Sequence, residues 1–301
     1  MEIDSIVDRK QLKQQLIIWR ITAILTTVML AIFLIGNFDS IKNSDHIAVL
    51  KISDIIVDDP NRSKALIKVA NDKLIKALIV HIDSPGGTVV GGETLYLHLR
   101  EVAGKKPVVA LISDLATSAG YMAAIAADQI FARQSSITGS IGVIVQTTDI
   151  TVLLNKLGIK PEAIKSAPLK AQPNPLEPMN ENTRSATRLV VEDIFNMFID
   201  MVATRRKMDK KKVKQLADGR IYTGRQAVKN GLIDAIGGEK EALDWLSNTK
   251  SINNQLPLKI LSFDRDNSFM ERILDRFIGK ISISDRLRLD GLVSLWQPAL
   301  R

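Results

Sequence analysis

Short apolar runs recur through the middle of the chain with helix-length stretches between them, and this alternation narrows the fold more than any other feature. Ala77-Leu-Ile-Val-His-Ile82 is almost unbroken in apolar character, and the same character returns at Val108-Val-Ala-Leu-Ile112 and Ile141-Gly-Val-Ile-Val145. A strand without polar alternation is one covered on both faces, as in a parallel sheet. Ile47–Ile52 reads as an earlier strand, and Asp59-Pro60 is a helix opening whose apolar positions are Leu66, Ile67 and Val69. Val90–Val102 and Ser118–Ala127 fill the gaps between strands as helices. The pattern predicts an α/β domain of βα units. Asn182–Arg205 predicts a long amphipathic helix, with Val191, Ile194, Phe198 and Val202 at helical spacing. The Pro-rich stretch Pro168–Pro178 reads as an extended loop. Past Ser251 the pattern weakens: Phe269–Ile278 suggests one short helix, and Leu292 and Trp296 suit a core edge or a subunit contact.

The N-terminus poses a separate question. From Ile21 to Phe38 run 18 residues without a charge. With Leu16–Trp19, and Arg20 reaching to the headgroups, the segment is just long enough for a hydrocarbon core of about 30 Å. A cleaved signal peptide would have a shorter apolar stretch and a small-x-small site after it, and Gly36-Asn37-Phe38-Asp39 offers none. The expectation is therefore an uncleaved transmembrane anchor over 21–38 behind a cytoplasmic segment 1–20. Arg9, Lys10, Lys13 and Arg20 precede it and only Lys42 and Lys51 follow closely. The positive-inside bias then puts the bulk of the chain across the membrane.

Composition removes several chemistries. Cysteine is absent, so disulfides, thiolate metal sites and a Cys nucleophile are excluded. Only His46, His81 and His98 exist, which argues against a His-rich metal site. The net charge of +8 is spread out apart from the run Lys207–Lys214, which reads as a solvated helix face, and aromatics make up only 5%. A single-strand nucleic-acid binder needs more stacking surface than that. No Walker-type phosphate loop and no metal-ligand spacing occur, so no cofactor is expected.

Two strand-to-helix junctions could carry chemistry. In Asp83-Ser-Pro-Gly-Gly-Thr88 two glycines let backbone N–H groups converge, which suits a carbonyl oxygen becoming an oxyanion. The plainer reading is a tight turn. In Ala116-Thr-Ser-Ala-Gly-Tyr121 a serine opens a helix, where the next N–H can face the same oxyanion. The plainer reading there is an N-cap serine. A nucleophilic serine needs a base, and all three histidines precede Ser118. His81, inside an apolar strand, reads as a core histidine, and His98 lies on a helix. A Clp-type triad places its histidine after the serine, and none follows here. A Ser-Lys dyad is the economical alternative. Its lysine has to be desolvated, because an ordinary amine with a pKa near 10.4 is almost wholly protonated at neutral pH.

The ordered motifs Asp83–Thr88, Thr117–Tyr121, Thr138-Gly-Ser-Ile-Gly142, Ile164-Lys-Ser-Ala-Pro-Leu-Lys170, Asp218-Gly-Arg220, Tyr222-Thr-Gly224 and Asn230-Gly-Leu-Ile-Asp234 resemble the signal peptide peptidase A family in its short, single-copy form. The resemblance covers roughly 45–246. It implies a Clp/crotonase-like α/β fold and a Ser-Lys peptidase domain over 45–246, followed by an extension over 251–301. It places Ser118 on the nucleophile, Lys170 on the general base, Ser140 on the residue that orients the lysine, and Gly87 with Ala119 on the oxyanion hole. Lys165 is the nearest competing base. Two departures stand out: Ala119 replaces the family's usual glycine, and the lysine motif reads Ser-Ala-Pro-Leu-Lys. An Ala119 held at positive φ would be strained, although at a helix start it need not be.

These readings converge on a membrane-anchored serine endopeptidase for apolar peptides such as released signal-peptide remnants. The resemblance also implies a ring-shaped homo-oligomer, with the catalytic domain on the periplasmic or extracellular side of the plasma membrane. The competing reading is a catalytically silent scaffold, suggested by the two departures. A third, an acyl-CoA enzyme on the same fold, lacks a second acid or base near the Gly-Gly turn.

Overall fold

The computed structural model describes residues 16–30, 44–261 and 293–295. The chain divides into two units, Met1–Asp45 and His46–Arg301. In the first, residues 16–30 are helical (α1), with Thr22, Thr26 and Thr27 donating their hydroxyls back to carbonyls three or four residues earlier. Among the described residues, no helix is long and apolar enough to cross a membrane. Residues 31–38, the second half of the expected span, lie outside them.

The second unit alternates strand and helix: β1 (His46–Ile56), α2 (Pro60–Asn71), β2 (Ile75–Thr88), α3 (Val89–Ala103), β3 (Val108–Thr117), α4 (Ala119–Ile125), β4 (Gln129–Ala132) and β5 (Ile137–Gly139). Then follow α5 (Thr151–Lys156), α6 (Glu181–Arg206), α7 (Lys210–Leu216), β6 (Ile221–Thr223), α8 (Gly224–Asn230), β7 (Ala235–Ile236), α9 (Glu239–Lys250), β8 (Leu258–Ile260) and β9 (Val293–Leu295). The sheet runs β6-β5-β3-β2-β1-β8, with β4 also on β3 and β7 on β4. The pairs β1–β2, β2–β3, β3–β4 and β3–β5 are parallel, as expected of strands joined by helical crossovers.

Burial on both faces explains the apolar runs. Leu78, Val80 and Ile82 of β2 join one core with Leu95, Leu99 and Phe198 from the helices, whereas Ala77 and Ile79 join the opposite core with Ala242 and Leu246 of α9. Successive strand residues point to opposite faces, so a strand with helices on both sides presents apolar residues to each. Helix starts follow local chemistry. Asp59 caps α2 through the N–H groups of Asn61 and Arg62 with Pro60 at the first position, and Asn180 caps α6 through Thr183.

The structure departs from the sequence reading in three places. Residues 141–145 form no strand; β5 lies just upstream and β4 fills the slot beside β3. The stretch from Pro168 is a series of tight turns and not an extended connection, with Lys170 and Gln172 donating their N–H groups to Ala167 and Leu169 at 3.0 and 3.3 Å. Helix α7 starts only at Lys210, after Lys207 closes α6 in a left-handed conformation. The helix expected at 269–278 and the positions Leu292 and Trp296 lie outside the described residues.

Candidate active site

Ser118 occupies the single residue between β3 and α4, at φ 56° and ψ −117°. A non-glycine residue held there stores about 1–3 kcal/mol and persists only where its surroundings over-determine it. Four hydrogen bonds do so. The Ser118 N–H donates to Gly139 at 2.9 Å and its carbonyl accepts from the Met122 N–H at 2.9 Å. On the strand side, the Thr117 hydroxyl donates to the Pro85 carbonyl at 2.9 Å and the Thr138 hydroxyl to the Ala116 carbonyl at 2.7 Å. The Ser118 side chain makes no capping hydrogen bond to α4. An N-cap role therefore does not account for serine at this junction.

Ala119 begins α4 at an ordinary negative φ, so the strain conceivable for it falls on Ser118 instead. Its methyl is fully buried, and room for it comes from Gly92, where a Cβ would stand 2.9 Å from the Ala119 Cβ. As a first-turn residue, Ala119 has an N–H with no acceptor inside the helix.

Gly87 lies at the end of β2, opposite Ile56 of β1. A Cβ there would fall 1.8 Å from the Ile56 carbonyl oxygen, so only glycine allows the two backbones to approach this closely. Gly86 takes φ 119°, and the Ser84 hydroxyl stitches the turn by accepting the Gly86 N–H at 3.2 Å and donating to the Asp54 carbonyl at 2.5 Å. Strand β1 occupies one edge of Gly86–Gly87. Antiparallel β9 pairs with Gly86–Thr88, with Gly87 opposite Ser294, and must take the other edge. That is the edge β3 follows as far as Ala116, two residues before Ser118. This stretch of backbone thus accepts an antiparallel extended segment on the side toward Ser118.

Ser140 follows directly on Gly139, is nearly buried, and also has a positive φ, 49°; its N–H donates to Arg220 at 2.8 Å. The structure brings Gly87, Ser118, Ala119 and Ser140 to one end of the sheet. It does not join Lys170 to them within the chain: Lys170 is exposed, and its amine makes no hydrogen bond or ion pair among the described residues. Lys165, the competing base, is committed to Glu177, with Nζ 2.5 Å from Oε1 and 2.6 Å from Oε2. Sequence reasoning missed Glu177 and Gly92, because no local motif marks either.

Other titratable groups are perturbed for structural reasons. Burial, then the nearby Asp114, pushes the Asp83 carboxyl above the usual range. Burial pushes His81 down against the pull of Glu239 at 3.6 Å. Among the described residues no cluster of three or more His, Asp or Glu could hold a metal ion.

An α/β sheet with a buried serine on a left-handed strand-to-helix junction, beside a Gly-Gly strand end, is a frame suited to nucleophilic serine chemistry. Residues 100–253 match the model of peptidase family S49, and the chain belongs to that family. Curated relatives include a candidate protease of Synechocystis (38% identity over 60% of this chain and 65% of that one). A candidate signal peptide peptidase SppA of Enterococcus faecium is 36% identical over 62% and 55% of the two chains. The chloroplastic serine protease SPPA of Arabidopsis thaliana is 32% identical over 75% and 33%. The chain thus matches a third to two thirds of the length of these relatives. Among solved structures, a ClpP1 variant from Listeria monocytogenes superposes with a TM-score of 0.43 at 16% identity, covering 64% of this chain and 92% of that one. That likeness is too loose to carry an argument.

Proposed function

We propose that the protein is a membrane-anchored serine endopeptidase that hydrolyses extended apolar peptides, such as signal-peptide remnants, through an acyl-enzyme. The observation that carries this reading is Ser118 itself, strained at its junction with a side chain that does not cap the helix. Its Oγ attacks the scissile carbonyl carbon while the Lys170 amine takes the hydroxyl proton. The N–H groups of Gly87 and Ala119 receive the oxyanion. The C–N bond then breaks as the proton passes to the leaving amine, and water releases the acyl group by the reverse choreography. Ser140 orients the lysine. Substrate adds as a strand along Gly86–Thr88, a reading supported by the antiparallel pairing of β9 with the same backbone. Because Lys170 lies exposed on its loop, we place it in a neighbouring subunit's site, within a ring of copies. The uncharged stretch 21–38 anchors the chain in the plasma membrane, with the domain over 45–246 on the far side from the cytoplasm.

The separation of Lys170 from Ser118 within one chain also favours a second reading, a catalytically silent scaffold. A fluorophosphonate probe separates the two. Labelling of the wild type, with loss in Ser118→Ala and Lys170→Ala, supports the peptidase; a wild type that neither labels nor cleaves casein supports the scaffold.

A further inference from the structure

The loop that carries Lys170 is folded around one carboxylate. Glu177 Oε2 accepts from Lys165 Nζ and from Gln172 Nε2, both at 2.6 Å, while Oε1 lies 2.5 Å from the same lysine and 3.4 Å from Asn174 Nδ2. Lys170 sits in sequence between two of these donors. Asn174 tightens the return of the chain, donating to the Ala171 carbonyl at 2.9 Å and accepting the Leu176 N–H at 2.9 Å. The Lys165 side chain is less exposed than that of Glu177, 16% against 35%, and the Lys165 hydrogen bond is the main reason the Glu177 carboxyl is held below its usual range. Ala171, next to Lys170, is held at φ 58°. The segment is otherwise poorly supported: Ile164 is 99% exposed, and Leu169 and Leu176 are also exposed. A loop with so little apolar burial keeps a defined shape only through such polar ties.

We propose that Glu177 is a positioning residue of the peptidase, holding Lys165, Gln172 and Asn174 so that Lys170 is presented in a fixed geometry. The proposal rests on Lys170 being the base. A base displaced by about an ångström loses much of its rate while the substrate groove is unchanged, so the effect belongs in kcat. It also gives Lys165 a purpose other than catalysis, because its amine is committed to both oxygens of the Glu177 carboxylate.

The test uses the full chain, with kcat and KM read on a fluorogenic peptide and the mass of the assembly read by light scattering. Glu177→Ala is expected to lower kcat at least tenfold with KM within twofold and the mass unchanged. Glu177→Gln, which keeps an acceptor oxygen but no charge, should fall between it and the wild type. The exchange Lys165→Glu with Glu177→Lys should recover several-fold over Glu177→Ala, because the Gln172 amide can flip to offer its oxygen. An unchanged kcat in Glu177→Ala, no recovery on exchange, or loss of activity only together with loss of the assembly would each overturn the proposal. Lys170→Ala runs in parallel. If that variant stays active, the base assignment itself fails; if it is dead while Glu177→Ala is fully active, only the role of Glu177 fails.

Discussion

Ser118 hangs by its own amide from Gly139, whose next residue is Ser140. The Ser118 N–H donates to the Gly139 carbonyl at 2.9 Å, and the Ser140 N–H donates in turn to Arg220 at 2.8 Å. Both serines hold positive φ, 56° and 49°. Backbone contacts thus set the relative placement of these two residues, and a change of either side chain should leave it intact.

From this follows a difference between two inactive variants. Glycine at position 118 adopts the native φ without strain, whereas alanine retains the full Cβ penalty. Ser118→Gly should exceed Ser118→Ala in stability by about 1 kcal/mol, or about 2–4 °C in Tm for a domain of this size. Thermal melts of the two proteins check it. Equal melting, or a lower value for glycine, would mean that the junction is unstrained.

Gly92 and Ala119 form a coupled pair. A methyl added at Gly92 would stand 2.9 Å from the Ala119 Cβ and 3.0 Å from Met122 Sδ, in a fully buried site. Gly92→Ala should therefore cost about 1–3 kcal/mol. Adding Ala119→Gly should return most of that loss, giving a clear interaction term in a double-mutant cycle followed by urea. Additive losses would show that the two methyls do not compete for one space.

The strands and helices around the site were legible because their burial is two-sided: β1, β2 and β3 and helices α2, α3 and α6 fall where the apolar runs and caps put them. The short strands were not. Residues 141–145 are apolar yet unpaired into a strand, while three-residue β5 is held by its parallel match to Leu115–Thr117, a long-range relation no local pattern encodes. The positive φ of Ser118 belongs to the same class. It depends on Gly139 and Pro85, which are distant in sequence, and a serine before a helix looks like a cap whether or not it caps. Glu177 was invisible because a carboxylate in a polar, Pro-rich loop has no periodicity to set it apart.

The motif around Asn230–Asp234 now has a structural reason. Asp234 accepts from Arg206 at 2.7 and 3.2 Å and from the N–H of fully buried Ile130 at 2.7 Å, while Arg206 also donates to the Gly231 carbonyl. Asp234→Ala leaves that N–H and a guanidinium only 11% exposed without their partner, at a cost of about 2–4 kcal/mol. The exposed pair Lys210–Asp200, at a similar 2.6 Å, should be worth less than about 1 kcal/mol. Urea unfolding of Asp234→Ala and Asp200→Ala compares them, and similar losses would contradict the assignment.

His81 predicts one pH dependence. Burial lowers its pKa in the folded chain, outweighing Glu239, with Lys51 adding to the lowering. As pH falls below the ordinary histidine value near 6.5, the unfolded chain takes up a proton that the folded chain refuses. Stability contributed by the neutral ring is therefore present above that value and is lost as pH falls toward the folded pKa. His81→Gln should lose less stability than the wild type between pH 7.5 and 5.5. Equal shifts in urea midpoint would assign the pH dependence to other groups.

The last expectation concerns where Lys170 does its work. Ser118 is almost completely buried, whereas Lys170 is exposed, with an amine that makes no hydrogen bond or ion pair among the described residues. If each site takes its serine from one copy and its lysine from the next, a head-to-tail interface supplies one of each to every site. Ser118→Ala and Lys170→Ala should each be inactive alone. Mixed in one assembly, a Lys170→Ala copy still offers Ser118, and a Ser118→Ala copy still offers Lys170. In randomly mixed rings about a quarter of the sites are then whole, and co-expression should return about that share of wild-type activity and fluorophosphonate labelling. A dyad within one chain cannot be rebuilt by any mixture. Mixed assemblies verified by two affinity tags and yet inactive would reject the shared site and return Lys170 to the serine of its own chain.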